Sequence, residues 1–325
     1  MTVKLVTGAN GWLGSSLMNA LPKDGEIRGA DLINSNTILK IDIRNSDHCN
    51  DFCQNSKGGV LFHTAGIIHP QKVKDFYAIN VEGTRNILEA AVAAGIKRAV
   101  IVSSNSPCGC NPKTGDLFDE SSPFNPYMHY GKSKMLMEQL VNDYHKKGKI
   151  ETVIVRAPWF YGPNQPPRQN LFFEMIRDGK VPMIDSGKNL RSMAYIDNLC
   201  EGLILCSESP IASGKTYWIA DKNPYSMSEI VDTVERLLEN EFSIICANKR
   251  FQIPKFLCDT AWLLDKFLQS LGQYHQKIHV LSEMDKNISC SIEKAESELG
   301  YNPKISLEEG MRRSITWCLE QGVQF

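Results

Sequence analysis

Thr7-Gly8-Ala9-Asn10-Gly11-Trp12-Leu13-Gly14 follows the apolar run Val3-Lys4-Leu5-Val6 and precedes Ser15-Ser16-Leu17-Met18-Asn19-Ala20-Leu21. The run reads as a buried strand, the glycine-rich octet as a turn and the last segment as a helix. Together they form an anion-binding device. The free N–H groups and positive dipole end of the helix face whatever sits above the turn. Glycines let the backbone turn sharply, approach a pyrophosphate closely and pack the helix on the strand. The spacing is G-x-x-G-x-x-G, not G-x-G-x-x-G, and glycine turns also occur for structural reasons alone. A dinucleotide reading therefore needs partners elsewhere in the chain.

Composition narrows the classes. The chain has 325 residues, 42% hydrophobic and 22% charged, as in ordinary globular proteins. A net charge of −1 gives no basic field to recruit nucleic acid or an anionic membrane. No apolar run approaches the ~20 residues of a transmembrane helix. The N-terminus enters a strand without a signal-peptide pattern, so a cytoplasmic location is expected. Among ten cysteines, only Cys49/Cys53 and Cys108/Cys110 are close pairs, and neither has zinc-site spacing. Reduced, mostly buried thiols and no metal are expected. His275 and His279 read as surface or packing residues.

Further strands continue the pattern. Glu26 to Asp31 reads as a second strand ending in an acid, 17 residues beyond Gly14. A carboxylate there can accept both ribose hydroxyls of an adenosine and repels a 2′-phosphate, which favours NAD over NADP. Thr37 to Ile41 is a third strand, followed by Asp42-Ile43-Arg44, whose acid can meet an adenine amino group. Gly59 to His63 is a fourth, leading into the small residues Thr64-Ala65-Gly66, which leave room for a flat ligand. A helix is predicted over 81–94, a fifth strand over 99–102 and a long helix over 127–147. Strands alternating with helices imply a doubly wound parallel sheet of the α/β class.

The fifth strand runs into Ser103-Ser104-Asn105-Ser106, and the long helix carries Tyr130-Gly131-Lys132-Ser133-Lys134. Tyr130 and Lys134, four apart, share a helix face. A free phenol, with a pKa of about 10, is a poor acid or base at neutral pH. A nearby ammonium and a nicotinamide charge favour the phenolate. A serine hydroxyl beside it can hold a substrate oxygen, and the lysine can also bind the cofactor ribose. The set suits hydride transfer at a carbinol carbon.

With these residues in place, the chain resembles the extended short-chain dehydrogenase/reductase family. T-G-A-N-G-W-L-G, D-I-R at 42–44, H-T-A-G at 63–66, N-V-E-G-T at 80–84, S-S at 103–104 and Y-G-K-S-K at 130–134 stand in the family's order. So do R-A-P-W-F-Y-G-P at 156–163, R-S-M-A-Y-I-D-N-L at 191–199 and K-A-E-S-E-L-G-Y-N-P at 294–303. The resemblance implies a Rossmann fold and the catalytic triad Ser104, Tyr130 and Lys134. Ser104 is preferred to Ser103 because the family's catalytic hydroxyl lies five residues before the glycine matched by Gly109. The implied NAD-binding residues are Gly8, Asn10, Gly11, Trp12, Leu13, Gly14, Asp31, Asp42, Ile43, Thr64, Ala65, Gly66, Asn80, Tyr130, Lys134 and Pro158.

After a sixth strand at 154–156, prolines and glycines punctuate a loop. An NAD-binding domain over 1–165 and a substrate lobe over 166–325 are expected, the lobe interleaved by strands near 192–197 and 216–220. Helices are predicted over 171–177 and 228–238, the latter capped by Ser226 or Ser228. Two features disagree about the substrate. Gly187 to Ser192 is similar to the segment by which nucleotide-sugar members hold a diphosphate, and Arg191 to Leu199 to that of sugar-nucleotide 4-epimerases and 4-keto reductases. They nominate Arg191, with Arg168 and Ser106, for substrate binding. Phe251 to Gly272 is an apolar helix like that of hydroxysteroid and lipid-acting members. The second arginine of many sugar epimerases, shortly before the K-A-E-S-E-L-G-Y segment, has no counterpart. Family dehydratases carry Asp-Glu after the catalytic hydroxyl residue, where this chain has Asn105-Ser106, which disfavours dehydration. The expected activity is NAD-dependent redox or epimerisation at C4 of a nucleotide sugar. A hydroxysteroid or other hydrophobic alcohol is the alternative substrate, and a non-catalytic NAD(P)-sensing protein the alternative class. A homodimer through the helices at 81–94 and 127–147 follows from the resemblance.

Overall fold

Residues 2–35 and 37–325 are described by a computed structural model. In its first half, apolar runs and helices alternate as the sequence predicts. The elements are β1 (Lys4–Thr7), α1 (Trp12–Ala20), β2 (Ile27–Asp31), β3 (Ile38–Lys40), α2 (Ser46–Cys53) and β4 (Val60–His63). Then come α3 (Val73–Tyr77), α4 (Thr84–Ala93), β5 (Arg98–Ser104), α5 (Met128–Lys146) and β6 (Glu151–Ala157). The helix predicted from Val81 starts at Thr84, because Ala78–Gly83 forms a π-helical turn. Inside that turn the Asn80 side chain bonds the backbone N–H and C=O of Ile67, at 2.9 and 3.1 Å. Such turns concentrate at functional sites.

The second half adds β7 (Trp159–Tyr161), α6 (Pro167–Arg177), β8 (Pro182–Met183), β9 (Leu190–Arg191), β10 (Met193–Tyr195) and α7 (Ile196–Glu208). It continues with β11 (Thr216–Trp218), β12 (Tyr225–Ser226), α8 (Met227–Asn240) and β13 (Phe251–Gln252). It closes with α9 (Lys255–Ser270), α10 (Gln276–Glu283), α11 (Glu293–Leu299) and α12 (Leu307–Glu320). α6 starts earlier than predicted, since Pro167 occupies the first helical position, where its missing N–H costs nothing. Ser226 caps α8, its hydroxyl accepting from Glu229 N at 3.1 Å.

The main sheet has seven parallel strands in the order β11-β6-β5-β4-β1-β2-β3. Six of them follow the dinucleotide-binding order. The seventh, β11, comes from the second half of the chain and pairs with β6. β10 instead pairs with β7 in a separate ribbon. Adjacent residues of a strand face opposite sides, so Leu5 and Val6 enter different cores. One core holds Phe52 of α2, Leu88 of α4 and Val141 of α5. The other runs from Leu17 of α1 through Leu199 of α7 to Leu237 of α8 and Ile315 of α12. That second core continues unbroken from the sheet into the substrate side. All ten cysteines are unpaired and nine are buried.

Candidate active site

The sequence-predicted residues gather along the carboxyl edge of the sheet, where open α/β folds bind ligands. Gly8 leaves β1 with φ 71°, a left-handed conformation that favours glycine. A Cβ on Gly14 would lie 2.0 Å from the Gly8 carbonyl oxygen, so the two glycines close the turn on itself. A Cβ on Gly8 would meet Ala65 N at 2.8 Å, which sets the turn directly against Thr64-Ala65-Gly66. α1 begins at Trp12 with no side-chain cap and no acid in its first turn. Its amino end is left to a ligand anion. Asp31 ends β2 beside it. One carboxylate oxygen accepts from Asn10 N at 3.0 Å and the other from Leu32 N at 2.7 Å. These residues fit a dinucleotide: a close backbone turn, free helix N–H groups and a fixed carboxylate one strand away. Trp12 donates its indole N–H to Pro163 O at 2.7 Å, tying the turn to the loop after β7. Leu13 is buried under the turn. The Asp42 carboxylate is held by the Arg44 guanidinium at 2.5 Å, which keeps it below the usual carboxylate range. Ile43 packs where a Gly83 side chain would otherwise stand. Pro158 follows β6 at the same edge and is buried.

Behind Gly66 lies a buried polar chain. Thr84 donates its hydroxyl to Asn80 O at 2.8 Å, so its oxygen accepts from His63 Nε2 at 3.0 Å. His63 Nδ1 then accepts from the Thr7 hydroxyl at 2.7 Å. Burial holds this imidazole neutral, its pKa pushed down to about 3, with the Lys134 charge acting the same way. The Asn80 amide also donates to Ser133 Oγ at 3.0 Å, and Ser133 donates to Tyr130 O at 2.8 Å. Thr7, His63, Thr84 and Asn80 thus link β1 and β4 to α5.

Ser103 and Ser104 point to opposite sides of β5. Ser103 donates to the fully buried Glu138 carboxylate at 2.6 Å. Ser104 faces the Tyr130 phenol, and its hydroxyl also accepts from Ser106 N at 3.2 Å. Burial pushes the phenol up to about 12, against the Ser104 hydroxyl, while the Glu283 carboxylate adds to the rise. Lys134 is buried and its pKa falls to about 8. Its ammonium donates to Val102 O at 3.0 Å. A Gly66 Cβ would come within 3.4 Å of that nitrogen.

Arg191 lies in β9, half-buried, with Nη2 donating to Glu283 O at 2.5 Å. Desolvation lowers its pKa and the Glu283 carboxylate opposes the fall. Ser106 is buried beyond β5, and Arg168 is exposed at the start of α6. Burial pushes the His69 imidazole down to about 4, and the Arg168 charge adds to the fall.

The sequence reading passed over the wall between these groups. The Tyr274 hydroxyl meets His69 Nδ1 at 2.7 Å. Its ring stands edge-on to Phe76 at 5.3 Å, and Phe76 packs on Tyr130 at 5.7 Å. His279, taken from sequence as a surface or packing residue, is buried 2.7 Å from the Asp265 carboxylate. Its ring lies 5.2 Å from Tyr274. The local signal was Asp265 and Gln269, two polar residues one helical turn apart in a helix rich in Leu, Phe and Trp. Among the described residues, no group of three or more His, Cys, Asp or Glu could hold a metal ion.

The model of the NAD dependent epimerase/dehydratase family matches residues 4–220. The chain is 46% identical to the uncharacterized protein y4nL of Sinorhizobium fredii, over 99% of this chain and 96% of that one. It is 28% identical to the N-acetyl-alpha-D-glucosaminyl-diphospho-ditrans,octacis-undecaprenol 4-epimerase of Escherichia coli O157:H7, over 73% of this chain and 72% of that one. The fold superposes on a UDP-glucuronic acid 4-epimerase from Bacillus cereus, solved in complex with NAD, with a TM-score of 0.77. That pair is 22% identical over 99% of this chain and 100% of the other.

Proposed function

The chain belongs to the NAD dependent epimerase/dehydratase family, and from that premise we propose that it moves a hydride at a secondary alcohol or ketone, with C4 of a nucleotide sugar as the reacting carbon. NAD is its cofactor. The observation that carries the reading is the Ser104 hydroxyl facing the Tyr130 phenol, with Lys134 one helical turn further along α5. When bound, NAD supplies the hydride acceptor or donor. Gly8, Gly11 and Gly14 with the amino end of α1 would hold its pyrophosphate, and Asp31 its adenosine ribose. Ser104 orients the substrate oxygen. The Tyr130 phenol gives its proton to the substrate oxygen in reduction and is left as the phenolate; in oxidation that phenolate takes the alcohol proton. The Lys134 ammonium stabilises the phenolate as it forms. Asn105-Ser106 after Ser104 supports hydride transfer without elimination.

Arg191 supports an anionic handle on the substrate, because a half-buried guanidinium is a forked donor for phosphate oxygens. The 28% identical relative is named as a 4-epimerase of a sugar diphosphate that carries a prenyl chain, which supports C4 as the reacting carbon. A second reading, a hydroxysteroid or other hydrophobic alcohol, draws on the exposed leucines and phenylalanines of α9. Thermal-shift measurements separate the two. UDP and UDP- or dTDP-sugars are expected to raise the melting temperature where sterols do not. No shift with any of these nucleotides would sink the sugar reading.

A further inference from the structure

The helix α9 is built inside out. At 100° per residue, its inward arc carries Cys258, Ala261, Asp265 and Gln269, all buried. Its outward arc, about 120° wide, carries Phe256, Leu257, Leu263, Leu264 and Phe267 around Thr260, whose hydroxyl is taken up by Phe256 O, with Leu271 just past the helix end. Leu263, Phe267 and Leu271 are 62%, 60% and 60% exposed. A soluble surface helix has the opposite pattern. The inward bonds fix this orientation. Asp265 pairs with His279 at 2.7 Å and accepts from the Gln269 amide at 2.9 Å. Gln269 in turn accepts from His129 N at 3.2 Å, one residue before Tyr130. Rotating the apolar side inward would bury water-facing groups and break this network at the active-site wall.

One rim of the face carries Lys255 and Lys266, both exposed and, among the described residues, without an ion-pair partner. The exposed acid on α9 is Asp259. Lys266 lies 5.0 Å above the Trp262 ring at the edge of the face. An apolar face edged by unpaired lysines complements an anionic lipid surface. A second copy of this chain would bring the same two lysines with one exposed acid of α9, Asp259, against them. At the far end of α9, Gly272 O accepts from Val73 N at 3.0 Å. Tyr274 then packs on Phe76, which packs on Tyr130. The outward face and the reacting site are thus the two ends of one short chain of side chains.

We propose that the α9 face docks on an anionic lipid bilayer, so that the site receives a substrate whose reacting head is polar and whose hydrocarbon tail stays in the lipid. Docking stands on the face alone, and delivery of the substrate rests on the hydride-transfer reading above. The net charge of −1 hides this local surface. The test is flotation of the full chain with phosphatidylcholine vesicles, with and without phosphatidylglycerol. The protein is expected to float with the anionic vesicles. Leu263→Gln/Phe267→Gln should cut the bound fraction at least about tenfold with an unchanged melting temperature, and Lys255→Gln/Lys266→Gln should remove the preference for phosphatidylglycerol. Failure of the unsubstituted chain to float overturns the proposal. So does a double apolar variant that floats normally but turns a dimer into a monomer on sedimentation, because a second copy then covers the face. Tyr130→Phe should float like the unsubstituted chain. If it floats while the unsubstituted chain turns over no substrate, the hydride-transfer reading fails and docking stands.

Discussion

At the scale of single residues, burial decides more of the chemistry than pairing does. Tyr130 lies above its solution pKa despite the lysine one turn away, because desolvation outweighs the hydroxyl facing it. Tyr130→Phe is expected to abolish turnover while leaving NAD affinity within about twofold, read by steady-state rates and NAD titration; full activity would remove the proton-transfer role. His63 makes the complementary case. Its folded pKa of about 3 lies below the unfolded value of about 6.5, so acid favours the unfolded chain, which takes up the proton. The stability it contributes is complete above pH ~6.5 and is lost as pH falls towards ~3, worth roughly 5 kcal/mol. Denaturant titrations of His63→Gln should lose stability less steeply across that window; an unchanged slope would remove His63 from the account. Tyr130 and Lys134 were legible because their chemistry needs a fixed spacing on one helix. His69, Tyr274 and Glu283 were not, since their neighbours lie as much as two hundred residues away in the chain and no local pattern marks them.

Among the elements, α5 carries the site and is anchored by a buried ion pair. Glu138 is fully buried and meets Arg156 of β6 at 2.8 Å, while Ser103 donates to the same carboxylate. Arg156 sits between Trp218 and Phe124, 5.5 and 5.6 Å from their rings, and its Nη1 has no hydrogen-bond partner among the described residues. Removing the carboxylate strands a buried cation. Glu138→Ala should therefore cost about 3–5 kcal/mol in equilibrium unfolding, against less than 1 for an exposed α5 position such as Gln139→Ala. Equal costs would show that the pair does not hold α5 in place. The strands and long helices were readable from apolar runs and helical spacing. The π-helical turn at 78–83 and the early start of α6 were not, because an inserted asparagine side chain and a proline cap set them. α9 could be read as apolar from its sequence, but its outward orientation follows from Asp265 and Gln269 finding His279 and His129.

For the molecule as a whole, the resemblance leads us to expect a dimer built on α4 and α5. Their outer surfaces carry the pair Arg85–Glu82 at 3.0 Å and a stripe of Lys132, Leu136, Gln139 and Asp143 along α5. Sedimentation velocity is expected to give a dimer that Leu136→Glu dissociates at least about tenfold in concentration; a monomer at every concentration would end that expectation. The fold class was legible because strand and helix periods alternate along the first half of the chain. In the second half, the strand near 216–220 joins the sheet as expected, β11 pairing with β6, whereas 192–197 does not, because β10 finds its partner in β7, a pairing that neighbouring residues do not announce. The pairing of β11 with β6 has an engineering consequence. A fragment ending before β11 would leave the N–H and C=O groups of β6 as a bare sheet edge, inviting other chains to add to it. Tyr301 near the C-terminus meanwhile reaches back to Ala220 O at 2.9 Å, stitching the last helices to the strand's exit. Specificity in such a chain is best redesigned by resurfacing loops, because exchanging the second half as a cassette would also remove a strand of the fold.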